Sequence, residues 1–483
     1  MKLNLAAVTK VLSILLGING LFMLLCLPTS YYYDENTLAI LLPAIASIGL
    51  GGLGYLISIR KSDAEINRRD GYMVVTLGWI IMSVSGAFPY ILSGYIPDFT
   101  GAFFETMSGY TTTGATVLTD IESVDKGILL WRSLTQWIGG MGFIVLTVAI
   151  LPFFGIGGMQ LFMAEAPGIT TDKVKPKIRD TAIRLWLIYL VLTIVEMLLL
   201  LIAGMGFYDA LNHALTTMST GGFSTRQDSV AYFTSPAIQY IIIAFMLLAG
   251  TNFTVIYFSL KGNFKKVFGN EEFKYYYLII FSFAILVGSI IVSQTPNEIE
   301  KAFRDSLFQV ASVISTTGYI TADYTLWTPF ITILFFLMMF LGGSAGSTAG
   351  GIKIVRHILL IKNSFLELKR QLHPSAVIPV RLNQKAVAGE ITFRILAFIM
   401  IYLISYTLGV FAISFTDIDF ETALGAVASC LGNVGPGLGN VGPVYSYAEI
   451  TTFGKWLLSF IMMLGRLELF TVFIVFTPYF WKK

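Results

Sequence analysis

The sequence predicts an all-α membrane protein. It is built from four pseudo-symmetric units, each a span, a re-entrant loop and a second span around one shared axis, preceded by two extra transmembrane helices. Three observations predict this architecture: an apolar composition, regularly recurring charged loops, and a glycine-threonine stretch that appears four times. The 483-residue chain is 55% hydrophobic and 13% charged, with a mean hydropathy of +0.74. That is too apolar for a soluble protein of this length. Apolar runs of about 20 residues, enough to cross a bilayer as a helix, recur along the whole chain with no charge-rich domain between them.

Composition also excludes function classes. A net charge of +3 gives nucleic-acid binding no electrostatic basis. Cys26 and Cys430 lie in apolar or glycine-rich surroundings, and His213, His357 and His373 are scattered, so no ligand cluster at metal-binding spacing and no HExxH is present. Both cysteines read as packing residues. An intramembrane enzyme would need a nucleophile-base pair or metal ligands, and neither is apparent.

The first two spans are residues 8–28 and 37–59. The N-terminal stretch has the look of a signal peptide, but its apolar part is long and a second span follows closely, which favours a retained helix. Loops rich in Lys and Arg follow at "RKSDAEINRRD" (60–70), "TDKVKPKIRD" (171–180), "KGNFKKVFGNEEFK" (261–274) and "KNSFLELKRQLHPSAVIPVRLNQK" (362–385). Excess positive charge marks cytoplasmic loops, so these four face the cytoplasm, as do both termini. The intervening "YYYDEN" and "TDIESVDK" are acidic, as expected of the outer face.

On that outer half stand "TTTGAT" (111–116), "MSTGGFST" (218–225), "ISTTGYIT" (314–321) and "LGNVGPGLG" (431–439). Aligning Gly114, Gly221, Gly318 and Gly435 exposes an internal repeat of roughly 100 residues. Ahead of each glycine runs a moderately apolar segment of small residues (102–114, 209–221, 306–318 and 423–435), which at about 1.5 Å per residue makes half a crossing. Full spans flank each half-helix: 71–94 and 131–152, 181–204 and 236–260, 274–293 and 327–361, 391–415 and 452–480. The resulting division is a two-helix region 1–70 and repeats 71–160, 161–262, 263–375 and 376–483.

Non-helical backbone at membrane depth is tolerated only where it is buried in protein or lines a water-filled cavity. A strand of Thr and Gly offers carbonyls as that lining, and potassium channels build their filters from four such loops. Close helix packing is the bland reading of Gly and Thr in one membrane segment. Four copies on one side, each after a half-helix, favour the ion pathway.

With these motifs the chain resembles the superfamily of Trk, Ktr and HKT potassium transporters, most closely its TrkH-type pore subunits, over nearly its full length. The resemblance implies a potassium pathway across the bacterial inner membrane, a homodimer, and control by a cytosolic nucleotide-binding ring of the TrkA type. It places potassium-coordinating carbonyls at Thr112, Thr113 and Gly114, at Ser219, Thr220 and Gly221, at Thr316, Thr317 and Gly318, and at Asn433, Val434 and Gly435. Ala115, Gly222, Tyr319 and Pro436 follow. Glycine at all four aligned positions favours potassium by resemblance. In the fourth loop Pro436 departs from the pattern and Gly432 offers a rival register.

"FLGGSAGSTAGGIK" (340–353) interrupts an apolar stretch with Gly342, Gly343, Gly346, Gly350 and Gly351. Each glycine costs a helix up to about 1 kcal/mol relative to alanine, so the span should break here. In the family that the chain resembles, this segment (342–351) is the intramembrane gate; a plain turn between packed helices is the alternative. Arg466, near the middle of the last span, needs a partner at that depth. The gate segment's carbonyls or hydroxyls are one, and Glu468 is the other, although residues two apart on a helix do not share a face. Asn252 and Glu196 read as interhelical hydrogen-bonding groups. The competing function is a sodium- or proton-coupled symporter, with Glu105 its candidate carboxylate.

Overall fold

The computed structural model describes residues 3–59, 67–140, 178–295, 298–376 and 378–482. The basic segment 60–66, most of the loop expected at 171–180, and residues 141–152 of the second span expected in repeat one lie outside these. Six described helices are long and apolar enough to cross a bilayer, and two sharply bent pairs raise the number to eight. Apart from a two-residue hairpin, Arg381–Leu382 with Lys385–Ala386, and one bridge between Gly342 and Gly351, the regular described structure is helical.

The N-terminal pair, Leu5–Leu24 and Leu38–Ile59, packs along its length because small residues remove the bulk between backbones. A Cβ on Gly20 would meet the Ala44 carbonyl, and one on Gly51 the Ser13 carbonyl. Asn19 then links this pair to the first repeat. Its amide donates to Ser85 Oγ at 3.2 Å and its carbonyl accepts from Tyr110 Oη at 2.5 Å. In a buried apolar setting such polar groups are costly unless they find each other, so the network fixes where the pair docks.

Four short helices stop partway: Phe99–Tyr110, Phe207–Met218, Ile299–Ile314 and Phe420–Gly432. Their preceding spans are Arg68–Ser93, Ile178–Ile202, Glu271–Gln294 and Gly389–Ile413. Asp98 and Asp419 cap two of the half-helices by accepting from the N–H of Gly101 and Thr422.

The spans that follow are where sequence expectation and structure part. The third breaks after Pro329–Met338 and resumes at Ile354–Leu372, as expected from its glycines. The second and fourth break too, where continuous spans at 236–260 and 452–480 were expected. Pro236–Ala249 and Phe253–Leu260 meet at 107°, and Thr452–Arg466 and Phe470–Phe476 at 118°. Asn252 is therefore no interhelical bridge: it is the N-cap at the second break, accepting from Thr254 N–H at 2.8 Å. Arg466 is likewise not mid-span but the last residue of a helix that ends beside the third repeat's broken segment. At the second and fourth breaks a glycine lets the helix end approach a half-helix terminus: a Cβ on Gly250 would lie 3.3 Å from Ser315 Cβ, and one on Gly465 would collide with the Leu431 carbonyl.

Candidate functional site

Each half-helix ends in the same hydrogen-bonded turn. The N–H groups of Thr113, Gly221, Thr317 and Val434 donate back to the carbonyls of Ser108, Thr216, Ser312 and Ser429. Those of Thr112, Thr220, Thr316 and Asn433 reach Gly109, Thr217, Val313 and Cys430. This is the Schellman arrangement, which needs one left-handed residue. Here that residue is Thr112, Thr220, Thr316 or Asn433, with φ of 53°, 54°, 57° and 54°. Left-handed threonine is strained, and such strain concentrates at functional sites.

Two residues on, φ turns positive again, at Gly114 (83°), Gly222 (77°), Gly318 (80°) and Gly435 (101°). The equivalent glycine in the second loop is thus Gly222, not the expected Gly221. Ser219, with φ −77°, sits at the helix C-cap like Thr111 and Ser315, one residue before the left-handed position. The three-residue set there is Thr220, Gly221 and Gly222. In the fourth loop Gly432 is the last helical residue, and Asn433, Val434 and Gly435 take the turn positions.

The four glycines close a cycle. A Cβ on Gly114 would collide with the Gly221 carbonyl oxygen, one on Gly222 with that of Thr317, and one on Gly318 with that of Val434; one on Gly435 would lie 2.6 Å from that of Thr113. Each loop thus presses its glycine on the carbonyl just ahead of the next loop's glycine. All four glycines also line one depression, with Arg132, Arg226, Pro436 and Tyr445 on its walls. The half-helix C-termini converge on this ring, and each carries roughly half a negative charge from its aligned peptide dipoles. The geometry suits a cation on the axis.

Different side chains hold the seams. Gln136 brackets loop two, its Nε2 donating to Gly221 O at 2.6 Å and its Oε1 accepting from Phe223 N–H at 3.0 Å. Tyr319 Oη lies 2.5 Å from Thr216 Oγ1, between loops two and three. Tyr324 Oη donates to Gly437 O at 3.1 Å between three and four, and Asn433 Nδ2 to Thr113 Oγ1 at 3.0 Å between four and one.

On the half-helix side of the ring lies the segment 341–352. Gly350 N–H donates to Thr316 Oγ1 at 2.7 Å, and Thr348 Oγ1 donates to Met218 O at 3.0 Å. A Cβ on Gly350 would lie 2.6 Å from Gly432 O. The segment therefore sits against the ends of three half-helices. Gly346 and Gly351 need their positive φ of 73° and 68°, while Gly342 and Gly343 are hemmed in by backbone and by Ala349. Ser344 N–H donates to Gly250 O at 2.8 Å, and Ala345 N–H to Glu272 Oε1 at 2.6 Å.

Arg466 donates to Thr348 O at 2.7 Å and to Gly139 O and Gly140 O at 2.5 and 2.8 Å. The expected contact with the glycine segment is present, and the Gly139 and Gly140 carbonyls join it. Glu468 pairs with Arg356. Lys353 Nζ donates to Ala349 O, a contact that sequence gave no reason to single out. Glu196 is buried and its carboxylate interacts with Thr217 on the half-helix Phe207–Met218, the interhelical direction expected, without a hydrogen bond of full geometry. Glu105 is engaged by Arg132 at 2.7 Å. Gln136, Arg132 and Glu272 escaped the sequence reading because their partners lie tens of residues away.

A family profile described as "TrkH: Cation transport protein" matches residues 39–276 and 273–483. The Trk system potassium uptake protein TrkH of Escherichia coli K12 is 38% identical over 433 residues, 88% of each chain. That of Halomonas elongata is 36% identical over 485 residues, covering both chains fully. The crystal structure of the potassium transporter TrkH from Vibrio parahaemolyticus superposes with a TM-score of 0.89 at 32% identity, across 99% of this chain and 100% of that one. These likenesses make the chain a multi-pass membrane transport protein rather than an enzyme. It belongs to the TrkH family of cation transport proteins.

Proposed function

We propose that the chain forms the potassium-selective pore of a bacterial uptake system. Dehydrated potassium is coordinated by the backbone carbonyls of Thr112, Thr113 and Gly114, Thr220, Gly221 and Gly222, Thr316, Thr317 and Gly318, and Asn433, Val434 and Gly435. The observation that carries this reading is the closed cycle of glycine on carbonyl around one depression. Inward carbonyls replace the hydration shell of the ion, and converging half-helix C-termini favour positive charge. The names of the relatives supply the ion.

In the same reading the segment 342–351 is the gate, and Arg466 holds it under the filter. The repeats span 71–160, 161–262, 263–375 and 376–483 after the region 1–70. The basic loops set both termini in the cytoplasm of the inner membrane, where a homodimer meets a TrkA-type nucleotide-binding ring. Obligatory sodium or proton coupling is the competing reading. It is weakened because Glu105, its carboxylate, is committed to Arg132.

Ion-selective flux in proteoliposomes tests the reading. Gly114→Ser forces a side chain against the Gly221 carbonyl, and the ratio of potassium to sodium flux should fall. An unchanged ratio would place this loop away from the ion. Potassium uptake by the unmodified protein with no sodium and no pH gradient rules out obligatory coupling, whereas its absence supports symport.

A further inference from the structure

One helix face ties the first loop to the second. Arg132 and Gln136 lie on Lys126–Gly140 at i, i+4, which sets them on the same side. Arg132 reaches both loops. Its Nε donates to Glu105 Oε1 at 2.7 Å, its Nη1 donates to Ser224 O at 3.1 Å, and its guanidinium lies 3.5 Å from the centre of the Phe223 ring. Glu105 accepts from Thr116 Oγ1 at 2.9 and 3.0 Å and from Val117 N–H at 2.8 Å, fixing the strand just past Gly114. The path from loop one to loop two therefore runs Thr116 and Val117, Glu105, Arg132, Ser224.

Among the described residues this is the most deeply buried ion pair, with Arg132 2% and Glu105 0% exposed. The loop-to-loop bonds at the other three seams join uncharged groups, while Arg304 on the third half-helix donates to Gln239 of the second repeat. A buried ion pair loses most of its attraction to desolvation and adds little over apolar residues of the same volume. What it does supply here is direction. A planar guanidinium makes fixed-angle bonds to a carboxylate and a carbonyl at once, so two loops are referred to a single helix.

We propose that Glu105 and Arg132 are positioning residues that set the separation of the first and second loops and thereby the discrimination between potassium and sodium. This inference rests on the filter reading above. Carbonyl rings select by how closely they can follow an ion of a given size. A seam held by one rigid strut resists contraction around the smaller ion, and a seam without it yields.

The test is the potassium-to-sodium flux ratio in proteoliposomes for R132K, E105Q, the double variant E105Q/R132Q, and G114S, each first checked for monodisperse elution. The ratio does not depend on how much protein is folded, so a merely structural role would not move it. Lysine keeps the charge but cannot bond Glu105 and Ser224 in the same fork. The double variant leaves no unpaired buried charge and is the one to rely on if a single change aggregates. The strut predicts a roughly tenfold fall in the ratio for R132K and for the double variant, the lower end of what losing an outer-shell partner costs at an ion site. If G114S lowers the ratio while the folded pair variants keep the unmodified value, the strut is wrong and the filter stands. If G114S also leaves it unchanged, the filter reading fails first. Aggregation of every pair variant would place the pair in folding alone and overturn the proposal.

Discussion

Gly435 meets Thr113 across the seam between the last loop and the first, where an added Cβ would lie 2.6 Å from the Thr113 carbonyl oxygen. That contact closes the cycle, and it fixes which residue of each loop is equivalent. In the second loop the equivalent is Gly222. Gly222→Ala would need a left-handed alanine and would strike the Thr317 carbonyl, both backbone conflicts, costing about 1–3 kcal/mol. Gly221→Ala needs no left-handed alanine and meets the end of the Gln136 side chain rather than backbone, at the cost of that side chain's two hydrogen bonds to the loop. Potassium flux and thermal stability should therefore drop for both, and further for Gly222→Ala than for Gly221→Ala. The reverse order would restore the register expected from sequence.

That register shows where sequence stops informing. The four half-helices are legible because each is too short to span and ends in Thr, Ser or Gly before an acidic or polar return. Gly221–Gly222 offers two glycines to one left-handed position, and only the cross-loop contact decides between them. The break at Gly250–Asn252 hides in an apolar run that reads as continuous, as does the one at Leu467–Leu469. The latter turns at two residues that are not glycine, Glu468 and Leu469, both at positive φ. Arg132 looks like a lone charge in a helix until the fold brings Glu105 beside it.

Thr316 joins the ring to the glycine segment, its hydroxyl accepting from Gly350 N–H at 2.7 Å. Thr316→Val strands that buried donor, at about 1–3 kcal/mol, while Thr316→Ser keeps the acceptor. Potassium leak through the purified protein should rise for valine and stay near the starting level for serine. Equal leak in the two variants would mean that the hydroxyl does not restrain the segment.

Arg466 binds the same segment, donating to Thr348 O at 2.7 Å and also to the Gly139 and Gly140 carbonyls. Hydrogen bonds from a charged donor contribute about 1.5–3 kcal/mol. Removing about 2 kcal/mol from the closed arrangement alone raises the open population by up to roughly 30-fold. Arg466→Gln should accelerate potassium flux in proteoliposomes accordingly. Flux at or below the unmodified rate would show that the arginine supports the open arrangement as well.

Asn252 offers a check on the bent second span. Its side chain caps Phe253–Leu260 by accepting from Thr254 N–H at 2.8 Å, and Phe253 N–H donates to Gly346 O at 3.0 Å beside it. The helix start and the glycine segment thus share one corner. Asn252→Ala removes the cap and should cost about 1 kcal/mol, whereas Asn252→Ser or Asn252→Asp restores an acceptor and recovers most of it. A thermal melt of the detergent-solubilised protein reads the difference. Because the neighbouring Gly346 carbonyl is held by the first turn of this helix, fraying that turn also loosens the segment, so the alanine variant should leak potassium as well as melt earlier. A variant that melts earlier without leaking would separate the cap from the gate.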